Sequence, residues 1–141
     1  MNIYVVGETG IAIEKVVPVM AELRSTLPEA TMHKQILRQM ADGYEMLAVV
    51  DAGHVIAVCG FVTKEKLAWG KHIYIDDLVT VKQAQNQGAG HLLLDTVVNL
   101  AKERGCASVH LDSGVHRFAA HRFYLHHKFD ITSHHFAINI E

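Results

Sequence analysis

Apolar residues along this chain recur in two rhythms, one of three to four residues and one of two, and the places where the rhythm changes mark out the elements. Ile3 to Val6 is a short apolar run that predicts an opening strand. Val16, Val17, Met20, Leu23 and Leu27 keep a helical spacing, so a helix is expected over Ile11 to Leu27, with Pro18 as its irregular residue. Pro28-Glu-Ala-Thr31 opens a second helix in which Met32, Ile36 and Met40 share a face, and Asp42-Gly43 ends it. Tyr44 to Val50 and His54 to Thr63 are β-rich runs around Asp51-Ala52-Gly53, which predicts a hairpin. Lys71 to Val81 is the next strand. Ala89, Leu93, Val97, Leu100 and Ala101 then return to helical spacing until Arg104-Gly105. Ala107 to Leu111 follows as a strand, Arg117 to His127 as a helix, and Phe129 to Ile131 and His135 to Ile140 as two short final strands. The order predicts one α/β domain over residues 1–141. Its sheet is mixed and mostly antiparallel, with a central βαβ crossover and flanking helices.

Composition narrows the class. A chain of 141 residues that is 50% hydrophobic can bury a core without disulfides or metal. A formal net charge of −2 supplies no basic stripe, so nucleic acid is not an expected partner. Cys59 and Cys106 are far apart in apolar settings and read as buried, reduced thiols of a cytoplasmic protein. Met1 to Val6 lacks a basic start followed by a signal-length apolar stretch, and no segment approaches the ~20 apolar residues of a membrane span. No membrane partner is expected.

The chemistry is concentrated where the Lys71 to Val81 strand gives way to the next helix. Gln85-Asn86-Gln87-Gly88-Ala89-Gly90 is polar, punctuated by glycine, and opens directly into the helical repeat. The first N–H groups of a helix have no partner inside it and together carry about half a unit of positive charge, which favours an anion by roughly 0.3–1 kcal/mol before hydrogen bonds are counted. Gly88 and Gly90, without Cβ atoms, let the backbone approach such a group. A Walker loop is excluded because Gly90 is followed by His91-Leu92 rather than Lys-Ser/Thr. A dinucleotide fingerprint fits poorly because Leu93 stands where a third small residue belongs. Taken alone, the glycines also suit a turn with no ligand.

Gln85-Asn86-Gln87-Gly88-Ala89-Gly90 resembles the Gln/Arg-x-x-Gly-x-Gly/Ala signature of the GNAT superfamily of acetyl-CoA-dependent N-acetyltransferases, and Ile75 to Val81 is similar to that family's fourth strand. A second segment, Ala120-His-Arg-Phe123-Tyr124 followed by Phe129, resembles the family's Ala-x-x-Leu/Phe-Tyr…Gly-Phe stretch. Arg117 and Lys128 depart from it, standing where the family often has asparagine and glycine. The resemblance implies acetyl-CoA as co-substrate, with its diphosphate held by Gln85, Asn86, Gln87, Gly88, Ala89 and Gly90. Main-chain amides around Val79 and Val81 would bind the acetyl carbonyl and pantetheine arm, and Tyr124 would stand beside the sulfur.

Acyl transfer from a thioester to an amine needs a neutral nitrogen, a donor for the developing oxyanion and a proton for the departing thiolate. Tyr124 suits the last role, since a phenol of pKa about 10 is protonated at neutral pH. Asp76 and Asp77 are adjacent and in a regular strand point to opposite faces, so only one is readily catalytic. In the family an acid on this strand often deprotonates the amine through water, and Asp77 is the closer match. Attraction of a cationic acceptor by either carboxylate, and a plain surface role, remain alternatives at this level. Asp76, Asp77 and Asp112 together favour a cationic amine, whether a small amine, a polyamine, an aminoglycoside-like compound, or a lysine or terminal amine of a protein. The 11 histidines invite a metal, but His116, His121, His126 and His127 lack the i, i+4 spacing of a helical ligand pair, so no metal is expected. Trp69 reads as a packing aromatic. The β-rich ends and the family resemblance allow a homodimer. The competing class is a non-catalytic acyl-CoA-binding module of the same fold.

Overall fold

The computed structural model describes Met1–Glu141. Five strands lie in the order β1-β2-β3-β4-β5 in one sheet: β1 (Asn2–Val5), β2 (Glu45–Asp51), β3 (His54–Lys66), β4 (Gly70–Thr80) and β5 (Ser108–Leu111). The pairs β1/β2, β2/β3 and β3/β4 are antiparallel. Helix α3 (Ala89–Glu103) makes the crossover from β4 to β5, while α1 (Ile13–Leu23) and α2 (Glu29–Ala41) connect β1 to β2. The α/β architecture is the one the hydrophobic pattern predicts. The chain divides into two compact units, Met1–His110, which holds almost all of the sheet, and Leu111–Glu141, which carries α4 (Phe118–His126).

Strand alternation sorts the core into two layers. Tyr44, Met46, Ala48 and Val58 share a face and pack with Val16, Val17, Met20, Met32 and Ile36 of the first two helices. Leu47, Val49, Ala57, Cys59 and Phe61 alternate with them and are equally buried, as are Leu93, Leu94, Val97 and Ala101 of α3, the helix that lies against β2, β3 and β4. The hairpin turn needs left-handed backbone at both central residues, and Ala52 (φ 49°) and Gly53 (φ 80°) supply it between the paired Asp51 and His54.

Three expectations are corrected. Helix α1 stops at Leu23, not Leu27. Pro28 disfavours helical backbone at the residue before it, so the chain leaves the helix before Leu27 and α2 begins only at Glu29. Pro18 is accommodated on the exposed side of α1, where its missing N–H leaves one helical hydrogen bond unmade. Cys106 is half-buried rather than buried, at the mouth of β5, while Cys59 is fully enclosed. The two final strands are absent. Residues 128–141 contain neither helix nor strand, because alternation supplies β-propensity but a strand exists only where a neighbouring edge takes up its main-chain hydrogen bonds.

Candidate active site

The loop between β4 and α3 has the backbone its sequence requires. Asn86 (φ 63°) and Gly88 (φ 91°) are left-handed, and an added Cβ at Gly88 would meet nothing within 4 Å. Its conformation, and not crowding, therefore calls for glycine. Gly88 stands as the N-cap of α3 with no side chain capping the helix, so the opening turn has no internal anion in place. Gln85, Asn86 and Gln87 are exposed beside it, while Ala89 is buried and anchors the turn to the core. Gln85 donates to the Thr80 carbonyl at 3.4 Å, tying the loop back to the end of β4. A glycine-led, uncapped helix start with donors around it fits a diphosphate.

Strand β4 is irregular where the site begins. Phe61 pairs with Ile75 but Gly60 pairs with Asp77, so Asp76 is the extra residue of a β-bulge. The bulge sets both carboxylates toward the α1 and α2 side, in cavities that share Gln39 and Tyr44, so the expectation that they point to opposite faces of a regular strand is corrected. Asp77 lines a cavity of about 420 Å3 with Arg24, Gln35, Gln39 and Tyr44, whereas Asp76 lines a neighbouring one of about 430 Å3 with Trp69, His72 and Tyr74. Tyr44 donates to Asp77 Oδ2 at 2.6 Å, and Arg24 Nε donates to Oδ1 at 3.0 Å while its Nη2 donates to the Asp76 carbonyl at 2.9 Å. Burial and the Asp77 charge push the Tyr44 phenol far above its ordinary range, so it stays a donor. The Asp76 carboxyl is pushed up by partial burial and by Asp77, against the opposing pull of Lys64 and Arg24. Gly60 makes the arrangement fit, since a Cβ there would fall 1.7 Å from the Tyr44 hydroxyl oxygen.

The expected free amide at Val81 is not found. Its N–H bonds the Ile56 carbonyl at 2.9 Å. Antiparallel alternation turns the Val79 amide to the same side, toward Val58 of β3, and directs the main chain of Leu78 and Thr80 the other way. Because Ala107 of the strand entering β5 bonds Lys71, at the start of β4, the four residues of β5 end before β4 does. The outward main chain of Leu78 and Thr80 thus lies past the end of β5. Val79 and Val81 remain half-buried against the core on the α1 and α2 side.

In the second unit, Tyr124 is half-buried on α4, with its ring 5.5 Å from Phe123 and 5.9 Å from Phe129. The Phe129 amide bonds the Tyr124 carbonyl at 3.1 Å, closing the helix end. Lys128 has φ 67°, left-handed backbone that glycine would adopt with less strain. Asp112 is paired with His135 at 3.2 Å, and His121 Nε2 lies 2.8 Å from the Gly114 carbonyl. No three His, Cys, Asp or Glu side chains converge as metal ligands would. Trp69 stacks on His110 at 3.6 Å and carries Lys66 Nζ 3.2 Å from its ring centroid.

Sequence reasoning missed Arg24, Tyr44 and Gly60, as well as the main chain of Leu78 and Thr80. A buried tyrosine opposite a mid-strand glycine is the only signal the sequence carries for them.

Comparison with known proteins identifies the family. The acetyltransferase (GNAT) family model matches residues 17–129. A Bacillus subtilis (strain 168) protein named Uncharacterized N-acetyltransferase YhdJ is 33% identical over 108 residues, 76% of each chain. The putative acetyltransferase from Agrobacterium tumefaciens str. C58 has the same fold, with a TM-score of 0.85 at 19% identity over 99% of this chain and 100% of that one. The aminoglycoside antibiotic 6'-N-acetyltransferase AAC(6')-IG from Acinetobacter haemolyticus superposes with a TM-score of 0.76 at 18% identity over 100% of both. No helix is long and apolar enough to cross a membrane. With the glycine-led start of α3, the bulge in β4 and the family match over most of its length, this chain belongs to the acetyltransferase (GNAT) family.

Proposed function

We propose that the protein moves the acetyl group of acetyl-CoA to a primary amine by direct attack in a ternary complex. The observation that carries this reading is that one strand, β4, holds Asp77 at a polar cavity and leads, through a single 3-10 turn at Lys82–Ala84, into the uncapped, left-handed loop at Gly88. Acetyl-CoA supplies an acyl group activated as a thioester. Gln85, Asn86, Gln87, Gly88, Ala89 and Gly90 hold its diphosphate against the amides of the helix start. Val79 and Val81 flank its pantetheine arm, and the outward main chain of Leu78 and Thr80 supplies the hydrogen bonds that the paired Val81 amide does not.

The acceptor enters the Asp77 cavity, whose polar lining of Arg24, Gln35, Gln39 and Tyr44 suits a charged or hydroxylated amine. Asp77 draws the ammonium, taking over from Arg24 as that side chain is displaced, and accepts the amine proton through water. Each oxygen already accepts one bond and keeps capacity for another. Asp76 and Asp112 add negative charge that attracts a cationic acceptor. Tyr124 gives its proton to the departing thiolate, and the protein works in the cytoplasm.

Calorimetric titration with acetyl-CoA, free CoA and ATP tests the reading. Both coenzyme forms are expected to bind and ATP is not. Failure of both to bind returns the glycines to a structural turn. In the same titration Gly88→Val is expected to weaken acetyl-CoA at least about tenfold, because a β-branched residue is strained by more than about 1 kcal/mol at φ 91° and the opening turn must shift. Unchanged affinity would place the diphosphate elsewhere.

A further inference from the structure

Each of the two cavities bordered by Tyr44 holds a cation of the chain itself. In the first, the Arg24 guanidinium lies on Asp77, with Nη2 2.9 Å from Oδ1. In the second, the Lys66 ammonium lies 3.2 Å from the centroid of the Trp69 ring. The proposed chemistry uses only the first. Lys66 ends β3 as an exposed residue, so its ammonium can leave the ring for water.

The Trp69 ring is fixed from behind. His110 stacks on it at 3.6 Å and 7° from parallel, which leaves no space between those two rings, so Lys66 occupies the opposite face. His72, only 2% exposed, meets the indole at right angles with centroids 5.0 Å apart, and the Tyr74 ring runs parallel to it at 6.5 Å. Both imidazoles are anchored in turn: His72 Nδ1 donates to the Gly70 carbonyl at 2.8 Å, and His110 Nε2 lies 2.8 Å from Ser108 Oγ. A fixed indole facing a cavity of about 430 Å3 attracts an alkylammonium to the negative face of its ring and need not move to receive it. Charge acts in the same direction. With Lys66 gone, Asp42, Glu65 and Asp76 line the cavity against Lys64 alone. The two cation positions are also within reach of one molecule. Tyr74 precedes Asp77 by three positions on β4, on the order of 10 Å at the rise of a strand, and Gln39 and Tyr44 border both cavities.

We propose that the Trp69 cavity is the far half of the acceptor site and that the acceptor is a linear aliphatic diammonium compound, whose reacting amine replaces Arg24 at Asp77 while its second ammonium replaces Lys66 on the Trp69 ring. The near half rests on the acetyl-transfer reading above, and the far half stands on the indole and its packing. Lys66 is then an internal competitor that selects for a second charge. A ligand with one ammonium, once seated at Asp77, has nothing with which to dislodge Lys66, whereas a diammonium chain held there presents its other end to the ring at high effective concentration.

Calorimetric titration of the full chain with 1,8-diaminooctane and with octylamine, without coenzyme, isolates the second ammonium, the one group by which the two ligands differ. The diamine is expected to bind at least about tenfold more tightly. Lys66→Ala removes the competitor and is expected to tighten the diamine several-fold further. In that protein the diamine should also shift the emission of Trp69, the single tryptophan of the chain, and octylamine should not. Trp69→Leu is expected to erase the preference for the diamine. Equal affinities in the parent, or a preference that survives Trp69→Leu, overturns the proposal. Failure of the reading beneath it has a different signature: a diamine that binds with this dependence on Trp69 and still receives no acetyl group from acetyl-CoA would keep the indole site and overturn acetyl transfer.

Discussion

Tyr124→Phe is expected to lower the rate of acetyl transfer by about 10²–10⁴ while leaving acetyl-CoA affinity within about twofold of the parent. The substitution keeps the ring that packs 5.5 Å from Phe123 and 5.9 Å from Phe129, so helix α4 and its closure by Phe129 should persist. Only the phenolic hydroxyl is lost. A leaving thiolate must then take its proton from water, which does so without being held in place. Thiol release with a small amine acceptor, measured beside coenzyme titration, separates the two effects. Undiminished turnover with intact binding would remove Tyr124 from the chemistry and favour a role in packing.

The larger effect on stability is expected at Gly60. Alanine there places a methyl 1.7 Å from the Tyr44 hydroxyl and 2.3 Å from Cζ, so the ring must leave its buried place over Gly60 and swing toward the cavities it borders. Overpacking of this kind costs about 1–3 kcal/mol, and expelling the hydroxyl also breaks its 2.6 Å bond to the Asp77 carboxylate, worth about 1.5–3 kcal/mol as a bond to a charged group. Together these predict a fall in Tm of roughly 10 °C for a domain of this size. Acetyl transfer should fall as well, because Asp77 is left with Arg24 alone to orient it. Thermal unfolding of Gly60→Ala, Tyr44→Phe and the double variant checks the account. The double variant is expected to lose less than the two single changes added, since removing the hydroxyl relieves part of the clash. Strict additivity, or a Gly60→Ala protein as stable as its parent, would mean that Tyr44 does not sit over Gly60.

The parts of the site that were legible in the sequence are those built from neighbouring residues. The run Gln85 to Gly90 announces its turn because left-handed backbone at Gly88 and the helix start after it are properties of contiguous chain. The faces of α2 and α3 follow from periodicity in the same way, and so does the Asp51-Ala52-Gly53 hairpin. Even the departure at Lys128 is local, a residue taking up the turn that a glycine would have made easier.

What the tertiary structure alone decided lies between residues far apart. Arg24 and Tyr44 reach Asp77 across 53 and 33 positions, and no spacing rule connects them. They meet because α1 and α2 lie on the sheet face that Gly60 leaves open. The Val81 amide is spent on Ile56 because the β3/β4 register sets which way each N–H points. The tail from His135 to Ile140 has the alternation of a strand without being one, since alternation states which face would be buried and only a partnering edge makes the strand. Local geometry is encoded by consecutive residues, whereas a hydrogen bond across the fold needs the whole packing to bring its donor and acceptor together.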